Sequence, residues 1–231
     1  KNGSTTYSHQ VLQGGIMHPG CSEVIPFMPE QIVNSDGTDK QDCEMNAAKR
    51  YISSLRAEFP KLGFIIGGDS LFSRQPLINL VLSKGMDYIF VAKPEDHKYL
   101  TEWVNAYTTL PSITFVDNKK RTHFYEWVND VPLFGAKDSI HVNYFRCTIT
   151  ATDKKGKEYI AYRNSWVTNL IIDTNNIETM VAAGRCRWKV ENEVFNVMKN
   201  HGYDMEHSYG HGEHHLSFNF YLLTLLAFFM H

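Results

Sequence analysis

The stretch FIIGGDSLFSRQPLINLVLSKGMDYIFVA, residues 64–92, decides the fold of this chain. It contains two apolar runs, residues 64–68 and 88–92, and continuous apolar runs of this length predict buried strands. Between them, Pro76 begins a segment with apolar residues at helical spacing, and Gly85 ends it. A strand, a helix and a second strand in this order predict a βαβ unit with parallel strands and a right-handed crossover.

An acidic residue, Asp69, directly follows the first of these strands. Functional groups collect at the carboxyl ends of strands in parallel sheets, so Asp69 is a candidate site residue. Asp is also a frequent cap of the next turn or helix, which gives Asp69 a purely structural alternative role. Its position in the sequence leaves both interpretations open.

A second segment that carries candidate functional residues is RWKVENEVFNVMK, residues 187–199. It predicts a helix that ends before Gly202 and carries Arg187 and Glu191 one turn apart on one face, with Lys199 near its end. An acid flanked by cations can hold a metal ion against a phosphate, because the carboxylate binds the ion and the cations bind phosphate oxygens. Together with the distant Asp69, this pattern suggests a metal-dependent nuclease or strand-transfer site.

The same segment also allows a less specific interpretation. Arg187 and Glu191 can form an exposed i,i+4 ion pair, which stabilises a helix by only a few tenths of a kcal/mol. Glu193 competes for the role of Glu191, although it lies ~200° around a regular helix, so the two cannot face one site.

The rest of the chain shows a change of character in its middle. Residues 7–17 and 23–28 predict strands, and Gly14-Gly15 allows a break in the first of them. A helix is expected from Thr38 or Asp39 to about Phe59. Residues 113–173 mostly alternate and predict strands at 122–128, 139–150, 158–162 and 166–172. Helical pattern returns near Asn176, with an expected interruption near Gly184. We therefore expect a core at 1–110, a β-rich insertion at 111–175 and a helical completion of the core at 176–231.

Composition excludes several classes of protein. The chain has 231 residues, 43% of them hydrophobic, and a formal charge of −2, which argues against a globally basic nucleic-acid binder but allows a local basic patch. Its four cysteines form no CxxC pair, which favours free thiols in a reducing cytosol. No signal peptide is evident, and the apolar residues 216–230 are too few to span a bilayer, which needs ~20 residues, so they predict a buried helix. Both ends suggest a fragment.

Two polar clusters have competing interpretations. His207 and His211 have the i,i+4 spacing of a zinc pair, yet Gly210 and Gly212 argue against a helix there, which favours a polar loop. A second cluster lacks the final Glu of a calcium loop and is better explained as a solvated helix start. Its members are Asp36, Asp39, Asp42 and Glu44.

The order of these motifs resembles one family. The GDSLF around Asp69, the RWKVENEVFNVMK around Glu191 and the β-rich stretch between them are similar to the catalytic domain of insertion-sequence DDE transposases, in the group with a Tyr-Arg-Glu-Lys signature. The segments KQDCEMNAAKR, WVTNL and HGYDMEHSYGHG add to the resemblance, which covers the chain from about residue 7. It implies a ribonuclease-H-like α/β fold: a mixed five-stranded sheet flanked by helices, with an all-β insertion before the last catalytic helix.

The resemblance also implies roles for the acids. Asp69 corresponds to the second acid and Glu191 to the third, and these two would bind the metal. The first Asp has no counterpart here, because residues 7–17 match the family's second strand. We therefore expect the first strand and its Asp to precede Lys1, and the chain as given to be inactive.

The signature itself is only partly kept. Arg187 and Glu191 match in spacing, but Gly184 stands at the Tyr position and Met198 at the Lys position, with Lys199 one residue later. In a regular helix seven steps return within ~20° of the starting face, whereas eight end ~80° away.

The implied chemistry is phosphodiester cleavage at transposon ends followed by strand transfer into target DNA. Two Mg²⁺ ions, with Mn²⁺ as a substitute, would assist the reaction. Arg187, Lys199 and Lys93 would contact DNA phosphates, and Trp127 and Trp166 would either contact DNA or pack in the core of the sheet.

Further expectations follow from the same resemblance. The partners are transposon and target DNA, a homodimer when two ends are joined, and no membrane; the location is the bacterial cytoplasm, at the nucleoid. The alternatives are a non-catalytic DNA-binding remnant that lacks the first acid, and a metal-binding hydrolase built on the His cluster.

Overall fold

The computed structural model describes residues 10–32, 43–207, 210, 212 and 214–230. The chain forms two compact units. One, which we call the sheet unit, is Pro60–Arg187; the other, the helical unit, combines Lys1–Phe59 with Trp188–His231. The division into residues 1–110, 111–175 and 176–231 stays a prediction.

The elements follow one another in a simple order. The strands are β1 (Gln10–Leu12), β2 (Gly15–Ile16), β3 (Ile25–Pro26), β4 (Glu30–Ile32), β5 (Ile65–Gly68), β6 (Asp87–Val91), β7 (Ser112–Val116), β8 (Thr122–Pro132), β9 (His141–Thr152) and β10 (Glu158–Thr168). The helices are α1 (Glu44–Glu58), α2 (Gln75–Ser83), α3 (Lys98–Asn105), α4 (Ile177–Lys189), α5 (Asn196–Asn200) and α6 (Leu216–Met230), with a π turn at Val190–Phe195 between α4 and α5.

The sheet unit contains a six-stranded mixed sheet in the order β5-β6-β10-β9-β8-β7. Only β5 and β6 are parallel, joined by α2, and this confirms the βαβ prediction. The other pairs are antiparallel. The mixed α/β architecture with flanking helices is compatible with a ribonuclease-H-like fold. The sheet differs from the expected five strands because β10 pairs with β6, so that the insertion strands extend the same sheet.

The first predicted buried strand lies at an edge of this sheet. Among the described strands, β5 pairs with β6 alone, and Ile65 is 52% exposed. The prediction of a buried strand at residues 64–68 was therefore wrong in its burial, although right in its position. An apolar run indicates a strand, but whether a further strand covers its free edge depends on long-range pairing.

Long antiparallel strands build the core of the sheet unit. Trp166 is fully buried and stacks on Phe145, with ring centroids 5.2 Å apart, and Trp127 is 4% exposed. This confirms core packing for Trp127 and Trp166. Each large buried side chain of this kind contributes roughly 1.5–3 kcal/mol to folding.

Two expected breaks in this region are absent. The predicted strands at 158–162 and 166–172 are one strand, β10, with a bulge between Ile160 and Tyr162. Helix α4 runs through Gly184 without the expected interruption. A Cβ atom at Gly184 would lie 2.8 Å from atoms of the Trp166 ring, so this glycine allows close packing of the helix on the sheet.

The helical unit begins with short strands and α1. The described part of the predicted strand at 7–17 forms two strands, β1 and β2, separated at Gln13 and Gly14, next to the break that the sequence allowed at Gly14 and Gly15. Helix α1 starts at Glu44 after an extended Cys43, which is later than expected. The predicted turn at 34–37, the proposed caps Thr38 and Asp39, and Asp42 lie outside the described residues. Arg50 ties α1 to β4, because its Nε donates to Glu30 Oε1 at 2.6 Å.

The last helix is less buried than predicted. Leu225 of α6 is 4% exposed and packs with Val190, Val194 and Met198 in the core of the helical unit. Tyr221 and Phe228 of the same helix also pack against this core. Other apolar residues face outward: Leu223, Leu226, Phe229 and Met230 are between 51% and 79% exposed. The prediction of a buried helix was wrong because one face alone meets this core. No helix in the described part of the chain is long and apolar enough to cross a membrane.

Candidate active site

Asp69 lies at the carboxyl end of β5, in the sheet unit. Its Oδ1 accepts a hydrogen bond from the backbone N–H of Leu71 at 2.9 Å, which is the capping role that the sequence left open. The second carboxylate oxygen has no hydrogen bond to a described residue, and the side chain is half-buried. Gly68, directly before it, has no room for a side chain, since a Cβ would lie 2.7 Å from the Phe72 ring. The acid is thus oriented by its turn and keeps one oxygen open.

Lys93 lies at the same end of the sheet as Asp69, where β5 and β6 have their carboxyl ends. In the parallel pair of β5 and β6, Gly68 is opposite Phe90, so both strands end on the same side. Lys93 follows β6 by two residues and is exposed. The structure therefore places these two predicted site residues, an acid and a cation, at the same end of the sheet.

A buried Ser–His pair lies next to this end of the sheet. His97 Nε2 is 2.6 Å from Ser73 Oγ, and Ser73 Oγ donates to the carbonyl of Ser70. The hydroxyl has one proton to donate, so it accepts the second bond from His97 Nε2–H. Burial, with Arg74 as a second cause, lowers the pKa of His97 and favours the neutral ring. Because His97 donates to Ser73, it is not placed as a base for a serine nucleophile, and the pair is structural.

A cavity of about 420 Å³ lies beside the same pair. It is lined by residues that follow β5 and β6, together with the loop after β8: Ser73, Arg74, Gln75, Pro76, Asp96, His97, Lys98, Tyr99, Leu133 and Phe134. Asp96 holds Ser70 by a short hydrogen bond from the serine hydroxyl, and this bond lowers the pKa of the carboxyl.

Glu191 lies in the π turn of the helical unit and is exposed. The buried residues of this segment are Val190, Val194 and Met198, spaced four and four residues apart. In a regular α-helix two steps of four residues drift by ~80°. A π turn takes one extra residue, so the three side chains stay on one buried stripe. Their neighbours one position later in the chain form a second stripe, which is more exposed and starts at Glu191.

Lys199 lies on the stripe that starts at Glu191. Eight residues separate it from Glu191, and the π turn takes up one of them, so the rotation corresponds to seven α-helical steps. Lys199 is therefore on nearly the same face as Glu191, and Met198, at the signature's Lys position, is fully buried. Lys199 Nζ forms an exposed ion pair with Glu206 Oε1 at 2.6 Å. The helix then ends as predicted, with His201 as its C-cap and Gly202 at a φ of +88°.

We expect deletion of Asn192 to be tolerated, and insertion of one Ala after it to destabilise the helical unit by about 2–5 kcal/mol. Deletion removes the extra residue and leaves seven steps from Val190 to Met198, which a regular helix accommodates. Insertion rotates Met198 out of its core by ~100°. Thermal unfolding followed by circular dichroism measures both. Equal losses for the two changes would contradict the π turn.

The first three residues of the segment 187–199, Arg187, Trp188 and Lys189, have different surroundings. Arg187 is half-buried in α4, at the end of the sheet unit. Trp188 is 63% exposed, which its position in the sequence did not indicate. Lys189 Nζ donates to the carbonyls of His18 (2.7 Å), Pro19 (3.4 Å) and Cys21. Its ammonium group holds a loop, so it is not available to a ligand.

The His-rich segment gives no support to a metal site. His211 and Glu213 lie outside the described residues, so the proposed pair of His207 and His211 stays a prediction. Within residues 10–32, 43–207, 210, 212 and 214–230, no group of three or more His, Cys, Asp or Glu side chains could hold a metal ion. All four cysteines are free thiols.

Comparison with protein families identifies a match to most of the chain. The model of a family described as "Transposase DDE domain" matches residues 28–229. This range includes Asp69, Lys93 and all of residues 187–199. No curated protein matches the chain.

Proposed function

This chain belongs to the transposase DDE domain family, and we propose that it is the catalytic domain that cleaves phosphodiester bonds at transposon ends and transfers strands into target DNA. DNA is the partner that the family implies. The observation that carries the proposal is that one family match includes both acids, Asp69 and Glu191.

Asp69 and Glu191 are proposed as the second and third acids of the site. The family uses divalent metal ions, and carboxylate oxygens are the ligands that Mg²⁺ prefers, with Mn²⁺ as a substitute. The open oxygen of Asp69 and the exposed carboxylate of Glu191 fit that chemistry. When bound, the ions would activate water or a 3′-hydroxyl and stabilise the leaving oxygen.

Three cations are proposed to hold the DNA phosphates. Lys93 lies at the same end of the sheet as Asp69, and Lys199 lies on nearly the same helix face as Glu191. Arg187 completes the set through its position in the signature. Phosphate oxygens would replace Glu206 as the partner of Lys199, since an exposed ion pair of this kind contributes only ~0–1 kcal/mol.

The first acid is proposed to come from a strand outside this sequence. That strand would pair with the edge of β5 that none of the described strands covers, where Ile65 is 52% exposed. A strand edge without a partner exposes backbone donors and acceptors that a further strand can satisfy. An Asp on such a strand would lie beside Asp69. Two copies of the complete domain would join two transposon ends.

A plasmid-nicking assay with Mg²⁺ or Mn²⁺ tests this function. We expect no nicking by the chain as given, and nicking by a chain extended upstream with a strand that carries Asp. Changing that Asp to Asn in the extended chain is the matched control, and it should remove the activity. Nicking by the unextended chain would contradict the role of the missing acid. Absence of nicking by the extended chain would favour the alternative, a DNA-binding remnant without turnover.

A further inference from the structure

We propose that two neighbouring hairpin turns of the six-stranded sheet, residues 117–121 and 153–157, form one binding surface for the phosphate backbone of duplex DNA. We call these turns the basic tips. They carry five exposed lysines: Lys119, Lys120, Lys154, Lys155 and Lys157. The inference rests on the proposed function for its choice of polyanion, and it adds a DNA contact separate from Asp69 and Glu191.

The register of the sheet places the two turns at one end. Strands β7 and β8 pair as far as Val116 and Thr122, and the turn 117–121 joins them. Thr122 is directly opposite Thr150 of β9. Two residues further on, Thr152 pairs with Glu158, and the turn 153–157 joins β9 to β10. The four strands are consecutive in the sheet, so the tips lie about two strand spacings, ~10 Å, apart.

The acids in the tips are used by the turns themselves. Asp117 Oδ1 accepts the backbone N–H groups of Lys119 and Arg121, each at 2.9 Å, and its Oδ2 accepts the guanidinium Nε–H of Arg121 at 2.7 Å. Asp153 Oδ1 accepts the N–H groups of Lys155 at 2.8 Å and Lys157 at 2.9 Å. Both carboxylates therefore hold the backbone of their own turns.

The lysine charges are left for a ligand. No ammonium group of the five lysines forms an ion pair within the part of the chain that the structure describes. Residues 117–121 and 153–158 contain six cations and three acids, whereas the whole chain has a formal charge of −2. Positive charge is thus concentrated at this end of the sheet, and a local cluster of this kind attracts a polyanion.

The adjacent face of the sheet suits a phosphate backbone. Thr122, Thr148 and Thr150 share one face of β8 and β9, with Phe124 opposite Thr148 and Arg163 on the neighbouring strand. The neighbouring residues Cys147 and Ile149 face the core and are fully buried. Threonine hydroxyls and arginine are frequent donors to DNA phosphates. The partner at the tips is therefore duplex DNA held by charge and hydroxyl groups, without base readout.

The proposal is tested by the binding of a labelled 30-base-pair duplex to the full chain. Fluorescence anisotropy measures the affinity between about 0.05 and 0.3 M NaCl, a range over which ~10-fold changes in affinity are readily resolved. The variant combines Lys119→Gln, Lys120→Gln, Lys154→Gln and Lys155→Gln. The matched control is Lys61→Gln with Lys137→Gln, two exposed lysines of the same unit away from the tips. EDTA is present throughout, so that no cleavage occurs.

Each lost phosphate contact lowers the slope of log affinity against log salt by ~0.9. We expect the fourfold variant to lower the slope by about 3.6 and the affinity at 0.1 M salt by at least ~30-fold, with little change in the control. Melting curves should be unchanged, because Asp117 and Asp153 still hold the turns. Equal affinity and slope in the variant and the wild type would overturn the proposal. A variant that loses binding to double-stranded RNA but keeps its affinity for the DNA duplex would also overturn it.

The outcome is independent of catalysis. Retained cleavage after changes at Asp69 and Glu191 would reject the proposed function and leave the binding measurement unaffected. Unchanged DNA binding in the fourfold variant would reject the basic tips and leave the acids as they are.

Discussion

Replacing Glu191 with Gln is expected to lower DNA strand cleavage by a factor of about 10³ or more in a chain extended with the first acid. Gln has nearly the same shape as Glu and a similar helix propensity, so the π turn should be kept. The change removes the negative charge that binds a divalent ion, and phosphoryl transfer depends on that charge for its metal. The loss should therefore appear in the chemical step and not in folding.

Single-turnover cleavage of a labelled transposon-end duplex at saturating Mg²⁺ measures this effect. Glu193→Gln is the matched control, because Glu193 is exposed in the same π turn and carries the same charge. It should cleave at close to the wild-type rate. Binding of the duplex in Ca²⁺ should change less than ~3-fold in either variant, since neither carboxylate neutralises a phosphate.

Asp69→Asn should show a loss of similar size, and the double variant should be no worse than either single variant. Residues that act as one unit show this lack of additivity, because removing the first member already disables the site. Cleavage by Glu191→Gln at the wild-type rate, with Glu193→Gln inactive, would transfer the role to Glu193. Cleavage by both would reject a carboxylate on this helix as a metal ligand.

Local sequence determined the parts of the fold that could be predicted. The βαβ unit of β5, α2 and β6 follows from apolar runs, Pro76 and Gly85, all within 29 residues. The exposed edge of β5 and the pairing of β10 with β6 could not be predicted in the same way. The pairing of β10 with β6 joins residues about 80 positions apart, and nothing in a strand's own pattern specifies its neighbour.

The π turn left a signal in the sequence that a regular-helix interpretation overlooks. Val190, Val194 and Met198 repeat at an average of four residues, whereas a regular α-helix keeps a straight stripe at about 3.6. The misplaced lysine of the signature is the second sign of the same extra residue. The extra residue of the π turn explains both irregularities, and it places Lys199 on nearly the same helix face as Glu191.

The exposed lysines of the basic tips were predictable as residues but not as a surface. Asp153 to Lys157 was expected to form a hairpin turn, and a local basic patch was compatible with the overall charge. That the turn at 117–121 lies at the same end follows only from the register of β8 on β9. Which acids remain free to cancel the charge also depends on the turn geometry, because Asp117 and Asp153 bind backbone N–H groups.

Replacing Gly184 with Tyr, the residue that the signature has at this position, is expected to destabilise the sheet unit by more than ~3 kcal/mol. The added Cβ alone would lie 2.8 Å from the indole of Trp166, which is fully buried and stacked on Phe145. Neither the ring nor the helix backbone has space to move, because α4 and β10 both pack in the same core. Thr179→Tyr, at an exposed position of the same helix, should change stability by less than ~0.5 kcal/mol.

A double-mutant cycle with Trp166→Ala separates packing from a general effect on the helix. Trp166→Ala alone should cost about 3–5 kcal/mol, because it leaves a large cavity in the sheet core. In the double variant the tyrosine ring can occupy part of that cavity, so the combined loss should fall at least ~2 kcal/mol short of the sum of the single losses. Urea unfolding of all four proteins provides the values. Additive losses would mean that Gly184 does not make room for the indole, and the absence of the signature's Tyr would then need another cause than the volume of Trp166.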